Sequence, residues 1–269
     1  HVLEGVDGLG LVPAGVLPAA GEGELGAGAV GPGIVYNCLG SSSWIGLATD
    51  RIVPDPARRV MTWAHCVPGM LHATGTMQTA GSAVKWFVEK FGVDYAAADN
   101  VPPGANGLLF LPYLCGERTP WWNPDARGVF VGMDLATTKE QMYRAVLEGV
   151  CFHLRWMLEC QDRKLKTSDP IRFVGGGALS DMTCQILADI CGRPVETVSK
   201  PQNVGSVGAA AVCGVGLGII DSMERVGDFI EVTHTYEPNP DNKEVYDRNY
   251  KAFRQLYQSN KKNFAILNA

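Results

Sequence analysis

Glycine is not spread evenly along this chain of 269 residues. It gathers in short clusters between apolar runs: Leu39-Gly40-Ser41-Ser42-Ser43, Val174-Gly175-Gly176-Gly177-Ala178 and Gly205-Ser206-Val207-Gly208-Ala209-Ala210-Ala211. Glycine frees the backbone for tight turns and close approach, so a chain punctuated this way is built of short elements with tight connections. The 32 glycines and 16 prolines follow no Gly-X-Y period, which excludes collagen.

The rest of the composition narrows the class. At 46% hydrophobic and 19% charged the chain is globular rather than disordered. A net charge of -5 argues against nucleic acid as a partner. No apolar run approaches the roughly 18 residues of a membrane span, so no membrane partner is expected. His1–Gly10 lacks the basic region and apolar core of a signal peptide. The eight cysteines form no CxxC pair and mostly sit among apolar residues, as in YNCLG and LLFLPYLCG. They are expected to be reduced core residues of a cytoplasmic protein.

Residues 1–33 resist assignment. Strands are predicted at Ile34–Leu39, Trp44–Ala48 and Val60–His65, forming an antiparallel meander. A helix over 76–91 follows from Met77, Ala80, Val84, Phe87, Val88 and Phe91 at helical spacing, with Gly92 as its stop. Asn106–Leu114 reads as a buried strand, 115–128 as a polar and aromatic loop, and Val129–Val131 as a short strand. A helix at 139–160, a strand at Ile171–Val174, a helix at 181–191, a strand at Val195–Val198, a helix at 206–217 and a C-terminal helix near 242–264 complete the chain. A three-strand meander followed by α-β-α-β-α is an α/β layout with a mixed sheet. The absence of a repeat or low-complexity linker points to one domain.

Each candidate site has a structural reading beside the functional one. Gly26, Gly28 and Gly31 spell GxGxxG, but Pro32-Gly33 and a strand follow where a dinucleotide fold needs a helix, so a glycine-lined helix end packed on the sheet is the better reading. Gly40, Ser41 and Ser42 could present N–H groups and hydroxyls to an anion, or form a polar hairpin turn. Gly175-Gly176-Gly177 could admit a planar ligand beside a strand's carboxyl end, or let a helix pack closely. The small residues from Gly205 read as a helix face packed on the sheet. In Gly116–Gly128, two arginines, two acids and two tryptophans could clamp a ligand or join two elements, with equal weight. The five histidines show no metal spacing, and His153 falls among apolar neighbours as a packing residue. No metal ligands are assigned, and neither a GxSxG elbow nor a P-loop is present.

In order, these pieces resemble the carboxy-terminal half of the FGGY carbohydrate kinases. The family's second signature is matched by Gly128-Val129-Phe130-Val131-Gly132-Met133, seven residues, and Gln141-Met142-Tyr143-Arg144-Ala145-Val146-Leu147-Glu148. NGLLFLPYLCGERTPWWNPDARGVFVGM is most similar to the xylulokinase branch. LGSSS stands in place of the family's LGTS phosphate loop, VGGGALSD in place of its adenosine motif, and NVGSVGAAA in place of its glycine–alanine helix.

The resemblance implies a ribonuclease-H-like (actin-like ATPase) domain at 34–269, with 1–33 unassigned and the family's amino-terminal sugar-binding domain not in this chain. It implies ATP and Mg2+ as cofactors, ATP-dependent phosphorylation of a sugar hydroxyl, that of D-xylulose or a related pentulose, and a chain inactive alone. Alternatives are a kinase for gluconate, glycerol or another polyol, or a non-catalytic nucleotide-responsive or assembly module. Gly40, Ser41 and Ser42 would meet the terminal phosphates, and Gly176, Gly177 and Asp181 the adenosine. ATP or ADP, the sugar through the other domain, and a second copy of the chain are the implied partners. The catalytic aspartate of relatives has no clear counterpart. Ungapped counting back from Leu39-Gly40 reaches Ala19, and aligning AAGEGE instead puts Glu24 there at the cost of a gap of about one helical turn.

Overall fold

A computed structural model describes residues 19–268 apart from 53, 56 and 58, and the side chains from Gly23 onward apart from those same positions. The first eighteen residues of the unassigned amino-terminal segment lie outside the described residues, and so does the side chain of Ala19.

A seven-stranded mixed sheet forms the centre, in the order β3-β4-β2-β1-β7-β8-β9. Its members are β1 (Val35–Leu39), β2 (Ser43–Thr49), β3 (Met61–Ala64), β4 (Leu71–Met77), β7 (Ile171–Val174), β8 (Val195–Val198) and β9 (Val232–Tyr236). β1, β7 and β8 run parallel, while the β1–β2, β2–β4, β3–β4 and β8–β9 pairs are antiparallel. Two short strands, β5 (Leu109–Leu111) and β6 (Val129–Val131), pair separately. The helices are α1 (Ala19–Gly26), α2 (Gly81–Phe91), α3 (Lys139–Asp162), α4 (Asp181–Cys191), α5 (Val204–Gly216) and α6 (Lys243–Asn268).

β1 is central and buried along its whole length, because strand side chains alternate between two covered faces. Val35 and Leu39 join the main core with residues of α2, α3, α4 and α6. Tyr36 and Cys38 face a second cluster with Ala27, Val174, Val198 and Val204. The apolar stripe of α6 is buried as its spacing demands: Tyr246, Tyr250, Phe253 and Tyr257 are at most 5% exposed.

Three expectations are corrected. The third meander strand is β4, not the segment Val60–His65, which pairs outside it as the edge strand β3. The helix expected over 76–91 starts at Gly81, because Leu71–Met77 lies in the sheet. Met77 belongs to both apolar patterns, and cross-strand pairing with Ser43 decides between them. The small-residue helix α5 packs chiefly on α1, with Val204 at its start reaching the sheet. There a Cβ on Gly26 would overlap the Val204 backbone, so the literal GxGxxG is a helix-packing feature.

The signature residues Arg144 and Glu148 are structural. Arg144 Nε donates to Glu148 Oε1 at 2.8 Å, and Glu148 Oε1 also accepts from the Gly104 amide at 2.9 Å and the Tyr246 hydroxyl at 3.1 Å. This buried knot ties α3 to α6 and to the turn before β5, and gives one oxygen of a buried carboxylate three donors, offsetting part of the cost of its burial. No disulfide joins the cysteines of the described residues, and Cys115 and Cys213 are exposed rather than in the core.

Candidate functional site

The tight turn between β1 and β2 is closed by the Gly40 amide donating to Ser42 O at 2.9 Å, and Ser41 and Ser42 are exposed at its tip. Beside it starts α2, whose N-cap is Ala80 with no side-chain cap. The free amides of a helix start need acceptors, and here the turn supplies them. Ala80 and Ser82 amides donate to Ser41 O, and the Gly81 amide to Gly40 O, each at 3.0 Å. Ser82 Oγ donates to Ser41 O at 2.8 Å. In a trans peptide the C=O and N–H point in opposite directions. Pinning the Gly40 and Ser41 carbonyls toward α2 therefore turns the Ser41 and Ser42 amides outward. A Cβ on Gly81 would overlap the Gly40 carbonyl oxygen, so this approach requires glycine.

The three glycines after β7 do different work. Gly175 has φ +90, and a Cβ there would lie 2.6 Å from Leu39 O. A Cβ on Gly177 would lie 2.7 Å from Leu39 Cδ2. Both let β7 and the following turn press on the end of β1. A Cβ on Gly176 would meet nothing within 4 Å. The turn leads into α4, capped by Ser180, whose Oγ accepts from the Thr183 amide at 3.2 Å.

Between these two helix starts lies a cavity of about 680 Å³. Gly40, Ser41, Gly81 and Ser82 line one end; Gly176, Gly177, Leu179, Ser180 and Thr183 form one wall. Val84, Lys85, Trp86 and Glu89 of α2, with Tyr95 and with Tyr143, Leu147 and Val150 of α3, complete it. Lys85 Nζ lies 3.6 Å from Glu89 Oε1 on its rim. The cavity has hydrogen-bonding groups at one end and an apolar, aromatic interior, the usual make-up of a small-molecule site.

Of the residues singled out in the sequence, Gly40, Ser41, Gly176 and Gly177 line this cavity. Ser42 is beside it on the turn. Asp181 follows the lining residue Ser180 and accepts a 2.6 Å hydrogen bond from the Tyr236 hydroxyl. Glu24 is elsewhere. It is fully buried on α1, with His65 Nε2 3.3 Å from Oε2 and His72 Nδ1 against Oε1. His72 pairs with Ala48, five residues along β2 from the turn at Ser43, or about 16 Å at strand spacing. Burial pushes the His72 pKa down to about 4 and lowers that of His65.

Sequence reasoning missed the α2 face. Gly81, Ser82, Lys85 and Glu89 recur at helical spacing, but a helix read over 76–91 takes in the last two residues of β4 and the turn after it, which conceals where α2 begins. It also did not single out the aromatic residues Trp86 and Tyr95, and named Tyr143 only as part of the family signature, although all three line the cavity.

The loop 115–128 joins elements rather than displaying its arginines to carboxylates. Glu117 Oε1 accepts from the Gln78 and Arg118 amides at 2.7 and 2.8 Å. Trp121 stacks on Tyr257 with ring centroids 3.4 Å apart, and Asn123 Nδ2 donates to the Tyr257 hydroxyl at 3.3 Å. Arg127 donates to backbone carbonyls, and Arg118 is exposed near Trp122. His153 is buried, its Nε2 donating to Thr119 O at 2.7 Å and its Nδ1 3.1 Å from the Tyr113 hydroxyl, as a packing residue should be. Among the described residues no group of three or more His, Cys, Asp or Glu could hold a metal ion, and no helix is long and apolar enough to cross a membrane.

Known proteins share this arrangement. Residues 35–217 match the model of the FGGY family of carbohydrate kinases, C-terminal domain. A xylulose kinase of Staphylococcus epidermidis is 31% identical over 259 residues, covering 90% of this chain and 51% of that protein. A gluconokinase of Bacillus licheniformis is 33% identical over 247 residues, covering 83% and 46%. The crystal structure of xylulose kinase from Rhodospirillum rubrum superposes with a TM-score of 0.80 at 31% identity, covering 91% of this chain and 50% of that one. The chain thus spans about half the length of the curated relatives it matches. With the family model covering most of the chain and the ribonuclease-H-like sheet in place, this chain belongs to the FGGY family of carbohydrate kinases, whose C-terminal domain it carries.

Proposed function

We propose that this chain is the nucleotide-binding half of an ATP-dependent sugar kinase acting on a pentulose of the D-xylulose type. The observation that carries the reading is the cavity that joins the Gly40–Ser42 turn to the open face at Gly176. ATP fits its donor set: outward amides of Ser41 and Ser42 at one end suit phosphates, and the space over Gly176 beside Tyr143, Leu147 and Val150 suits a planar base. Asp181, next to the lining residue Ser180 at the start of α4, would orient the adenosine side.

Bound ATP would supply the phosphoryl group. Phosphoryl transfer rests mainly on positioning and charge neutralisation, which are the tasks of such a turn. The described residues offer no carboxylate cluster, so Mg2+ here would be held by nucleotide phosphates and water, in keeping with its preference for retained waters. We assign Glu24 a structural role, since its carboxylate faces two imidazoles inside the protein. The sugar and the base that takes its proton then belong to residues beyond this cavity, and xylulose is favoured over gluconate by the leucine–proline–tyrosine strand and Gly-Glu-Arg-Thr-Pro loop of the xylulokinase branch.

A second reading, a nucleotide-responsive module without turnover, draws on the same burial of Glu24. Calorimetry decides the core of both. ADP should bind the 269-residue chain weakly, and Gly176→Val should abolish that binding without unfolding it, because its side chain enters open space. Undiminished ADP binding by the variant would refute the nucleotide site. Sugar-dependent ADP production by this chain alone would refute its dependence on a second domain.

A further inference from the structure

The Gly-Glu-Arg-Thr-Pro loop is outside the cavity, yet it holds the segment that shapes it. We propose that Glu117 is a positioning residue for the phosphate end of the site, acting through the turn between β4 and α2. This inference rests on the nucleotide reading above.

The chain of contacts is continuous. Glu117 is 3% exposed, and its Oε1 accepts from the Gln78 amide just past the end of β4. Thr119 reinforces the same point: its Oγ1 accepts from the Thr76 amide at 3.0 Å, and its own amide donates to Thr76 O at 3.1 Å. Thr79 Oγ1 donates to Pro112 O at 2.7 Å, fixing the next residue of the turn. The amides of Ala80, Gly81 and Ser82 then hold the Gly40 and Ser41 carbonyls. Those bonds set the outward direction of the Ser41 and Ser42 amides. Glu117 is itself braced, because its amide and carbonyl pair with Asn123 and Thr119 O accepts from His153.

One acceptor atom thus controls a half-buried amide two to four residues before the Ala80, Gly81 and Ser82 amides that hold the turn. Removing it leaves the Gln78 amide unpaired and frees the turn to shift. The adenosine wall, built from Gly176, α4 and the Tyr143, Leu147 and Val150 stretch of α3, meets this set only through His153 further along α3, which donates to Thr119 O and makes no bond to the β4–α2 turn. Loss of Glu117 should therefore be felt by phosphates and not by adenosine.

The test compares ADP with adenosine by calorimetry on the full 269-residue chain. Glu117→Ala should weaken ADP by up to roughly tenfold, the effect of leaving the Gln78 amide without its acceptor, and leave adenosine within about twofold. Glu117→Gln keeps a carbonyl acceptor and should bind both like the parent. Should Glu117→Ala fail to fold, Thr79→Val removes the second tether of the same turn and should give a smaller loss in the same direction. Equal weakening of ADP and adenosine in a folded variant would show a merely structural role and overturn the proposal. So would parent-like ADP binding by both Glu117→Ala and Thr79→Val, or a Gln variant as weak as the Ala variant. If Glu117→Ala is parent-like while Gly176→Val loses ADP, the positioning role fails and the nucleotide site stands. If Gly176→Val has no effect, it is the site that fails.

Discussion

Two helices begin on the same cavity and their starts are built in opposite ways. α4 carries its own cap: Ser180 Oγ accepts from the Thr183 amide, and Asp181 opens the first turn. α2 has Ala80 at its cap and no side-chain acceptor, so its first amides are satisfied by the Gly40 and Ser41 carbonyls of a turn some forty residues away. The α4 start is local and self-contained. The α2 start exists only once β1, β2 and β4 are in register, and it orders the turn as much as the turn orders it.

The largest expected effect is at the dependent start. Gly81→Ala places a Cβ onto the Gly40 carbonyl and should cost about 1–3 kcal/mol of stability, as overpacking does, together with ADP binding. Urea denaturation and calorimetry read the two losses, and an unchanged variant would break the claim that this approach is tight.

Next is the pH response of the brace behind α2. Burial pushes the Glu117 carboxyl up to about 8, above the ordinary 4.5, against the two amides that favour its ionised form. A raised carboxyl binds its proton more tightly folded than unfolded, so stability is greatest at low pH and falls as pH rises from about 4.5 to 8. Buried His65, His72 and His153 have lowered values and act in the opposite sense below 6.5. Between pH 6.5 and 8 the parent should therefore lose up to about 1.4 kcal/mol per pH unit relative to Glu117→Gln. Parallel melting curves for the two proteins across that window would contradict the shift.

At the self-contained start, Ser180→Ala should cost about 1 kcal/mol, the usual value of an N-cap, without changing the ratio of ADP to adenosine affinity. The smallest effect is at Ser82, whose hydroxyl adds an exposed bond to a carbonyl already held by two amides. Ser82→Ala should cost about 0.5 kcal/mol in thermal melts. A larger loss at Ser82 than at Ser180 would reverse the comparison.

The same contrast explains what could be read in advance. α3, with Thr138 as its cap, Gln141 returning the bond and a long apolar stripe, is stated by local residues. So are α4, α6 and the strands β1, β2, β7 and β8. β4 was hidden because Leu71–Met77 mixes His, Thr and Gly with few apolar residues, and its buried character comes from lying between β2 and β3. β9 was hidden for the converse reason: Val232–Tyr236 is mostly exposed and is a strand only because β8 offers an edge. At the candidate site, Gly40, Ser41, Gly176 and Gly177 were marked by their positions after strands. Their division of labour was not, since Gly175 and Gly177 accommodate Leu39 and Gly176 alone of the three has open space beside it.

By itself, then, the sequence determined the periodicities, the glycine punctuation and the family signature, because these depend on residues near one another along the chain. Only the tertiary structure decided that Glu24 is enclosed by His65 and His72, that the small-residue helix packs on α1, and that Glu117 stands behind the turn facing the cavity. Each of those outcomes depends on which groups are left to satisfy a buried hydrogen bond or fill a gap once distant segments meet, and short-range pattern carries no record of that.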